Sequence, residues 1–528
     1  MNPSTFQARA MVKALIKHGV ESVVIAPGSR NGALSIALAQ AHNHINLLTR
    51  IDERTASFTA LGIAKRTAKP VAVVCTSGTA SAHFTAAAFE AREAGVPLIL
   101  ITADRPAAVR GRGANQTIEQ VGMFANAVID EWDLPIASSQ DELYWELAVA
   151  NAVTASLGDE YSAAGPVHLN VPFAEPLIPH DADVSWTSTI VRGELPKPHR
   201  LDDVELKDLL ADMGITTDAP RGVIVISDPH SAADAIALAK TLRWPLLAEP
   251  GSSARVSGNA IAHYAKILSA KNIEADVVIT AGRFGLSRAV MKYVTSSSAH
   301  IAVGRYPLDA DPMESAKHHL ARMPLMNGLR PAPEEWLAMW QSEAASFAHD
   351  TDSVLTARSA TQLLTDFATS RDVLWVSASS SVRIVDDVAS IRNDAPMTLV
   401  NRGTNGIDGL IASATGAATQ TVGRTFLLIG DVAFLHDASS LFLPSTEVWP
   451  NLTIVVLDNN GGAIFKTLEQ GDSAFDDVYD KVYGTPHDKN LVALAQSAGL
   501  SAVHINSLDE MRHELTIKTN VLVVNLRS

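Results

Sequence analysis

Asp431 and Asn459 stand 28 residues apart, each just beyond an apolar run. Phe426–Ile429 leads into Gly430-Asp431, and Leu452–Leu457 leads into Asp458-Asn459-Asn460-Gly461-Gly462. A carboxylate, an amide oxygen and a carbonyl freed by a Gly-rich turn are hard oxygen ligands of the kind Mg²⁺ takes, with phosphate oxygens and water completing the shell. The spacing leaves room for one crossover helix and a return strand. Both residues would then lie beyond the carboxyl ends of neighbouring parallel strands, where open α/β sheets bind ligands. Helix capping by Asp431 and an ordinary Asn-Gly turn account for the same residues, and from this stretch alone both readings stand. No glutamate cluster or His pair at metal spacing lies nearby, which argues against zinc.

Other residues invite a chemical reading. Glu53, in Arg50-Ile51-Asp52-Glu53-Arg54, precedes a small-residue helix expected over Thr55–Ala64. It is either an exposed first-turn carboxylate favoured by the helix dipole or a carboxyl tuned to share a proton with a ligand nitrogen. Arg30, Arg105, Arg110, Arg112, Arg288, Arg383 and Arg402 fall after apolar runs or in polar loops such as GSRNG, ADRP and NRGTNG. Guanidinium forks bind carboxylates in pairs, so such a set suits a substrate with more than one carboxylate. The loop Gly111–Thr117 adds Asn115 and Gln116, which both donate and accept. There is no GxSxG elbow, P-loop or dinucleotide fingerprint, and the single cysteine, Cys75, sits inside an apolar run. Chemistry here has to come from a cofactor.

The elements that must position these residues follow from the apolar runs. Strands are expected at Ser22–Ala26, Val71–Cys75 and Pro97–Thr102, each ending in Ser, Thr, Gly, Asp or Arg. A second set is expected at Val223–Ser227, Pro245–Ala248, Val277–Ala281 and His300–Gly304. A third is expected at Val373–Ser377, Met397–Val400, Phe426–Ile429, Leu452–Leu457 and Val521–Leu526. Strands alternating with helical patterns predict parallel sheets in three α/β units, 1–180, 201–345 and 350–528, with a polar, proline-bearing linker at 181–200. A length of 528 residues, 47% hydrophobic and 19% charged, accommodates such units as ordinary globular domains. A formal charge of −15 argues against nucleic acid as the partner, and one cysteine fits a reducing cytoplasm. Neither a secretory signal nor a run long enough to span a membrane is expected.

Gly430-Asp431 followed by Asn459-Asn460-Gly461 resembles the thiamine diphosphate signature, GDG then NN, with Val432 standing where the last glycine of GDG falls. Taken with APGSRN (Ala26–Asn31), RIDERTASF (Arg50–Phe58), CTSGTA (Cys75–Ala80), TADRP (Thr102–Pro106), RGRGANQTIEQ (Arg110–Gln120), NRGTNGIDG (Asn401–Gly409), GDVAFLHD (Gly430–Asp437) and NNGGAIF (Asn459–Phe465), the chain resembles the MenD family, the thiamine diphosphate-dependent synthases of menaquinone biosynthesis. The resemblance spans nearly the whole chain and is loosest in the middle unit. It implies three doubly wound parallel-sheet domains, pyrimidine-binding, middle and diphosphate-binding, assembled as a dimer or tetramer with active sites between subunits. It also implies conversion of 2-oxoglutarate and isochorismate to 2-succinyl-5-enolpyruvyl-6-hydroxy-3-cyclohexene-1-carboxylate and CO₂. Asp431, Asn459 and the Gly461 carbonyl would hold Mg²⁺, or Mn²⁺ in its place, and through it the diphosphate, beside Gly430. Glu53 would hydrogen-bond the pyrimidine nitrogen of the cofactor bound by the partner subunit. Ile407 would prop the bent cofactor, and Ile464, Phe465 and Leu468 would line its apolar side. Arg30, Arg105, Arg288, Arg383 and Arg402, with Ser29, Asn115, Gln116 and Ser379, match the family's substrate-binding positions.

Overall fold

The computed structural model describes residues 1–137, 142–159, 162–180, 182–196, 203–304, 311–347 and 353–527. Its strands form three sheets in which every pairing is parallel. The first contains β1 (Ser22–Ile25), β2 (Asn46–Thr49), β3 (Val71–Cys75), β4 (Leu98–Asp104), β5 (Asp130–Asp133) and β6 (Pro166–Pro172), in the order β2-β1-β3-β4-β6-β5. The second contains β7 (Gly222–Ile226), β8 (Leu246–Ala248), β9 (Val277–Ala281), β10 (His300–Val303) and β11 (His318–Leu320), in the order β11-β10-β9-β7-β8. The third contains β12 (Val373–Val376), β13 (Met397–Val400), β14 (Thr425–Gly430), β15 (Leu452–Asp458), β16 (Ala502–Ile505) and β17 (Val521–Asn525), in the order β13-β12-β14-β15-β17-β16.

Most central strands are predominantly apolar because they are covered on both faces. Along β1, Val23 and Ile25 enter one core and Val24 the other. Along β14, Leu427 and Ile429 face one side while Phe426 and Leu428 face the opposite one. Every expected strand is present. β2, β5, β6, β11 and β16 were not expected. β5 reads Asp-Glu-Trp-Asp, and Asp133 and Glu131 are spent on Arg110 and His168. β6 is bracketed by prolines and carries buried His168 and Asn170, which are satisfied by Thr102, Gln120, Asp104 and Asp133. A strand whose polar groups are paired across the sheet loses the apolar pattern that announces it. Residues 182–196 lie against the first sheet's unit. Trp186 is buried, donates to Gln40 Oε1 at 2.9 Å and lies under the Arg9 guanidinium.

The first and third sheets share one topology. In both, the chain winds outward from its first strand in one direction and then in the other. The crevice therefore opens at the carboxyl ends of β1 and β3 and, equivalently, of β12 and β14. Gly28, after β1, lies so close to the β3 end that a Cβ would fall 2.3 Å from Thr76 Cβ. The two units are joined by the helix Glu53–Thr67 packed on the helix Leu410–Ala418. A Cβ on Gly62 would fall 1.9 Å from the Ser413 carbonyl oxygen, and one on Gly416 would fall 2.1 Å from that of Thr59. The buried Arg50 guanidinium pairs with Glu447, and Thr55 Oγ1 meets Ser440 Oγ at 3.0 Å, pinning the start of the first helix to the third unit. The second sheet docks on the third through Arg255, which donates to Asp386 Oδ1 at 3.1 Å and to the Ala389 carbonyl at 2.8 Å.

Candidate active site

The carboxyl edge of the third sheet gathers the residues singled out above. Gly430 is opposite Leu457 in the β14–β15 register, so the turns that follow meet. Asp431 opens the helix Asp431–His436 and is 2% exposed. Its Oδ1 accepts the Val432 N–H at 2.7 Å, and its Oδ2 accepts the Gly461 N–H at 2.9 Å and His487 Nε2 at 3.2 Å. Burial pushes the Asp431 carboxyl above its ordinary range, and these donors oppose the shift. His487 Nδ1 accepts the Lys489 N–H at 3.0 Å, which leaves the ring proton on Nε2, aimed at Asp431. Asp458 Oδ1 lies 3.8 Å from the same nitrogen, and Arg527 Nε donates to Asp458 Oδ2 at 3.0 Å.

The two asparagines after β15 have different work. Asn460, at φ 64°, exchanges hydrogen bonds with Asp488, accepting from its N–H and donating to its Oδ1, both at 2.9 Å. Asn459 is exposed. Gly461 has φ 147°, and a Cβ there would fall 2.2 Å from the Gly484 carbonyl oxygen, so this backbone accepts only glycine. Asp431, Asp458 and His487 offer atoms within 4.8 Å of one another. In the tautomer present, however, His487 Nε2 is a donor and not a ligand. A carboxylate has about four acceptor sites and three are used here, which leaves one on Asp431 Oδ1. Together with the Asn459 amide oxygen and the Gly461 carbonyl, this donor set fits a hard divalent cation. Beyond it, Ile464 and Phe465 are half-buried on the turn Ala463–Thr467, with Phe465 against Tyr483, while Leu468 is exposed. Ile407 packs on the core of the third unit.

Two pairs of guanidinium groups flank the crevices. Arg383, in the helix Ser380–Val388, donates to the Ser379 carbonyl at 2.7 Å. Burial lowers its proton affinity, and the nearby Arg402 adds to that effect. At the first sheet, burial and then Arg105 act likewise on Arg30, which donates to the Phe173 carbonyl at 3.0 Å. Arg105 holds Ser77 Oγ and the Gln116 carbonyl, and Gln116 Nε2 donates to the Ser77 carbonyl at 3.0 Å. Like charges set side by side at a crevice favour an anion between them. Ser29 and Asn115 are exposed nearby in sequence. Arg110 is instead committed to Asp104 and Asp133. Arg288, exposed at the start of the helix Arg288–Thr295, has no hydrogen-bond or ion-pair partner among the described residues.

Glu53 begins its helix after Asp52, which caps the turn by accepting from Arg54 N at 2.8 Å. Its side chain is half-buried and makes no hydrogen bond or ion pair with any described residue. Burial, and then the Glu53 carboxylate, push the Cys75 thiol well above its usual range. A partly desolvated carboxyl without a partner fits a ligand that brings a donor. No hydrogen bond or ion pair between described residues joins Glu53, Arg30 or Arg105 to Asp431, Asn459, Arg383 or Arg402 within one chain. Ser77 and the buried Asp437, whose carboxylate caps the helix Leu410–Ala418 through the Ile411 and Ala412 N–H groups, lie within the CTSGTA and GDVAFLHD stretches but carry no sequence signal for these roles, and His487 lies outside every stretch singled out. His487 lies 56 residues beyond Asp431, and only the TPH stretch after a glycine marks it.

Residues 7–123 match the family model for the thiamine pyrophosphate enzyme N-terminal binding domain, and residues 387–520 match its C-terminal counterpart. The class defined by this fold and site is thus that of the thiamine pyrophosphate enzymes. The chain is also 38% identical to a 2-succinyl-5-enolpyruvyl-6-hydroxy-3-cyclohexene-1-carboxylate synthase of Thermobifida fusca, over 95% of this chain and 91% of that protein. Proteins of the same name from Saccharopolyspora erythraea and Rhodococcus opacus are 34% and 38% identical. These matches span 100% and 94% of this chain and 96% and 90% of the relatives. The chain belongs to this synthase family, the MenD family of transferases.

Proposed function

We propose that the chain carries out the reaction for which its relatives are named. It would decarboxylate 2-oxoglutarate and add the resulting four-carbon unit to isochorismate, with Mg²⁺ or Mn²⁺ and as a cytoplasmic homo-oligomer. When bound, thiamine diphosphate supplies the electron sink that decarboxylation requires. In this reading the third unit, 350–528, holds the diphosphate end, with Asp431, Asn459 and the Gly461 carbonyl on the cation. Residues 1–180 serve the pyrimidine end, with 201–345 between them. Glu53 holds a proton against the cofactor's ring nitrogen. Ile407, Ile464, Phe465 and Leu468 exclude water from the apolar face. Arg30 with Arg105, Arg383 with Arg402, and Arg288 receive the substrate carboxylates, with Ser29, Asn115, Gln116 and Ser379 as hydrogen-bond partners.

The observation that carries this reading is a pair of incomplete half-sites that no hydrogen bond or ion pair between described residues joins within one chain. An unpartnered Glu53 lies at one crevice, and a buried Asp431 with one acceptor site to spare lies at the other. A second copy of the chain, presenting its first unit to this third unit, completes the site. The test is CO₂ release from 2-oxoglutarate with thiamine diphosphate and Mg²⁺, with and without isochorismate. Release stimulated by isochorismate, with formation of the named product, supports the reading. A thiamine- and Mg²⁺-loaded protein that leaves isochorismate unchanged refutes it.

A further inference from the structure

Arg402 lies in a segment held on both sides by a single ion pair from another unit. Lys65 is 9% exposed and Glu90 2%, and they meet at 2.8 Å. The other two Lys65 donors go to the Val400 carbonyl at 2.8 Å and Asn401 Oδ1 at 3.0 Å. Besides Lys65, Glu90 accepts the Gly403 N–H at 3.1 Å, the Thr404 N–H at 2.8 Å and Thr404 Oγ1 at 3.1 Å. All three ammonium donors and all four carboxylate acceptor sites are used. Within Val400–Thr404 every residue but one is bonded to this pair. The exception is Arg402, which has no hydrogen bond or ion pair among the described residues and whose charge is felt at Arg383.

A buried ion pair is weak evidence for stabilisation, because desolvation offsets attraction. Here the bonds fix a backbone and leave one long side chain free at its centre. We propose that Lys65 and Glu90 are positioning residues for Arg402. They hold its Cα so that the guanidinium meets a substrate carboxylate without ordering the loop at the moment of binding. This rests on the reading of Arg402 as a substrate-binding residue. It adds that the first unit sets substrate affinity in the third unit of the same chain.

The experiment is a double-mutant cycle with Glu90→Gln and Arg402→Ala in the thiamine diphosphate- and Mg²⁺-loaded enzyme. KM for each acid substrate and Kd for the cofactor are measured throughout. A glutamine at 90 turns an NH₂ toward donors that need an acceptor. E90Q is expected to raise KM for at least one substrate about tenfold or more, with cofactor Kd within about twofold of the parent. In the R402A background, adding E90Q is expected to change that KM less than about twofold, because there is no guanidinium left to misplace. Additive losses, or an unchanged KM in E90Q while R402A is impaired, overturn the positioning role alone. An R402A variant with both KM values unchanged overturns the reading of Arg402 itself. If E90Q does not fold, Thr404→Val removes one hydroxyl from the same carboxylate. It should show the same Arg402-dependent pattern at about threefold, and no rise overturns the proposal.

Discussion

Replacing His487 by phenylalanine should loosen the divalent cation with little effect on the fold. The imidazole is 9% exposed and donates Nε2–H to Asp431 Oδ2 at 3.2 Å, on the oxygen that also takes the Gly461 N–H. A hydrogen bond to a carboxylate contributes about 1.5–3 kcal/mol, or roughly ten- to a hundredfold in an equilibrium constant. Partners that orient a ligating carboxylate have effects of the same size on metal affinity, about 10–100-fold. Without His487, Asp431 keeps only the two backbone donors, from Val432 and Gly461, and is less firmly oriented. Free Mn²⁺ can be followed by electron paramagnetic resonance while the protein is titrated at saturating thiamine diphosphate. The expected result is a Kd raised about 10–100-fold. Glutamine, whose Nε2 reaches the same place, should recover part of the loss, and alanine should match phenylalanine. A phenylalanine variant that binds Mn²⁺ as tightly as the parent would refute the assignment of His487 as a donor to a metal-ligating Asp431.

Glu53→Gln should abolish turnover while leaving Mg²⁺-dependent cofactor binding intact, read by product formation against cofactor titration. A near-normal rate would remove Glu53 from the proton's path. Gly62→Ala places a methyl 1.9 Å from the Ser413 carbonyl oxygen, forcing two helices apart. It should destabilise by about 1–3 kcal/mol or more, seen as a lower denaturant midpoint, and an unchanged midpoint would contradict the helix contact. Burial raises the Asp437 carboxyl to about 6. The folded protein therefore binds a proton that the unfolded chain, titrating near about 4, has already released, so this group's contribution to stability falls as pH rises from about 4 to about 6. Asp437→Asn should flatten the denaturant midpoint across that window, and an unaltered slope would show that the carboxyl is not protonated there.

Much of the scaffold was legible because parallel strands buried on both faces are written as unbroken apolar runs. β3, β4, β7, β9, β14 and β15 stand out for that reason. Their polar endings mark the carboxyl edges, and the Asp431 and Asn459 turns are visible in the sequence itself. β6 lacks the apolar pattern because its buried His168 and Asn170 are paired across strands, and β5 lacks it because it is an edge strand of half-buried and exposed acids. The common topology of the first and third sheets left no visible repeat in residue types, since a fold of this kind constrains apolar character and not identity.

By itself the sequence determined the strand-ending motifs and the family to which they belong. Only the tertiary structure decided which buried polar groups are partners. Glu90 meets Thr404 across 314 positions of chain, and His487 meets Asp431 across 56. Apolar periodicity is a local property that each segment carries alone. A buried donor or acceptor must be paired wherever packing brings a partner, and that place is set by how the helices Glu53–Thr67 and Leu410–Ala418 close two sheets on each other.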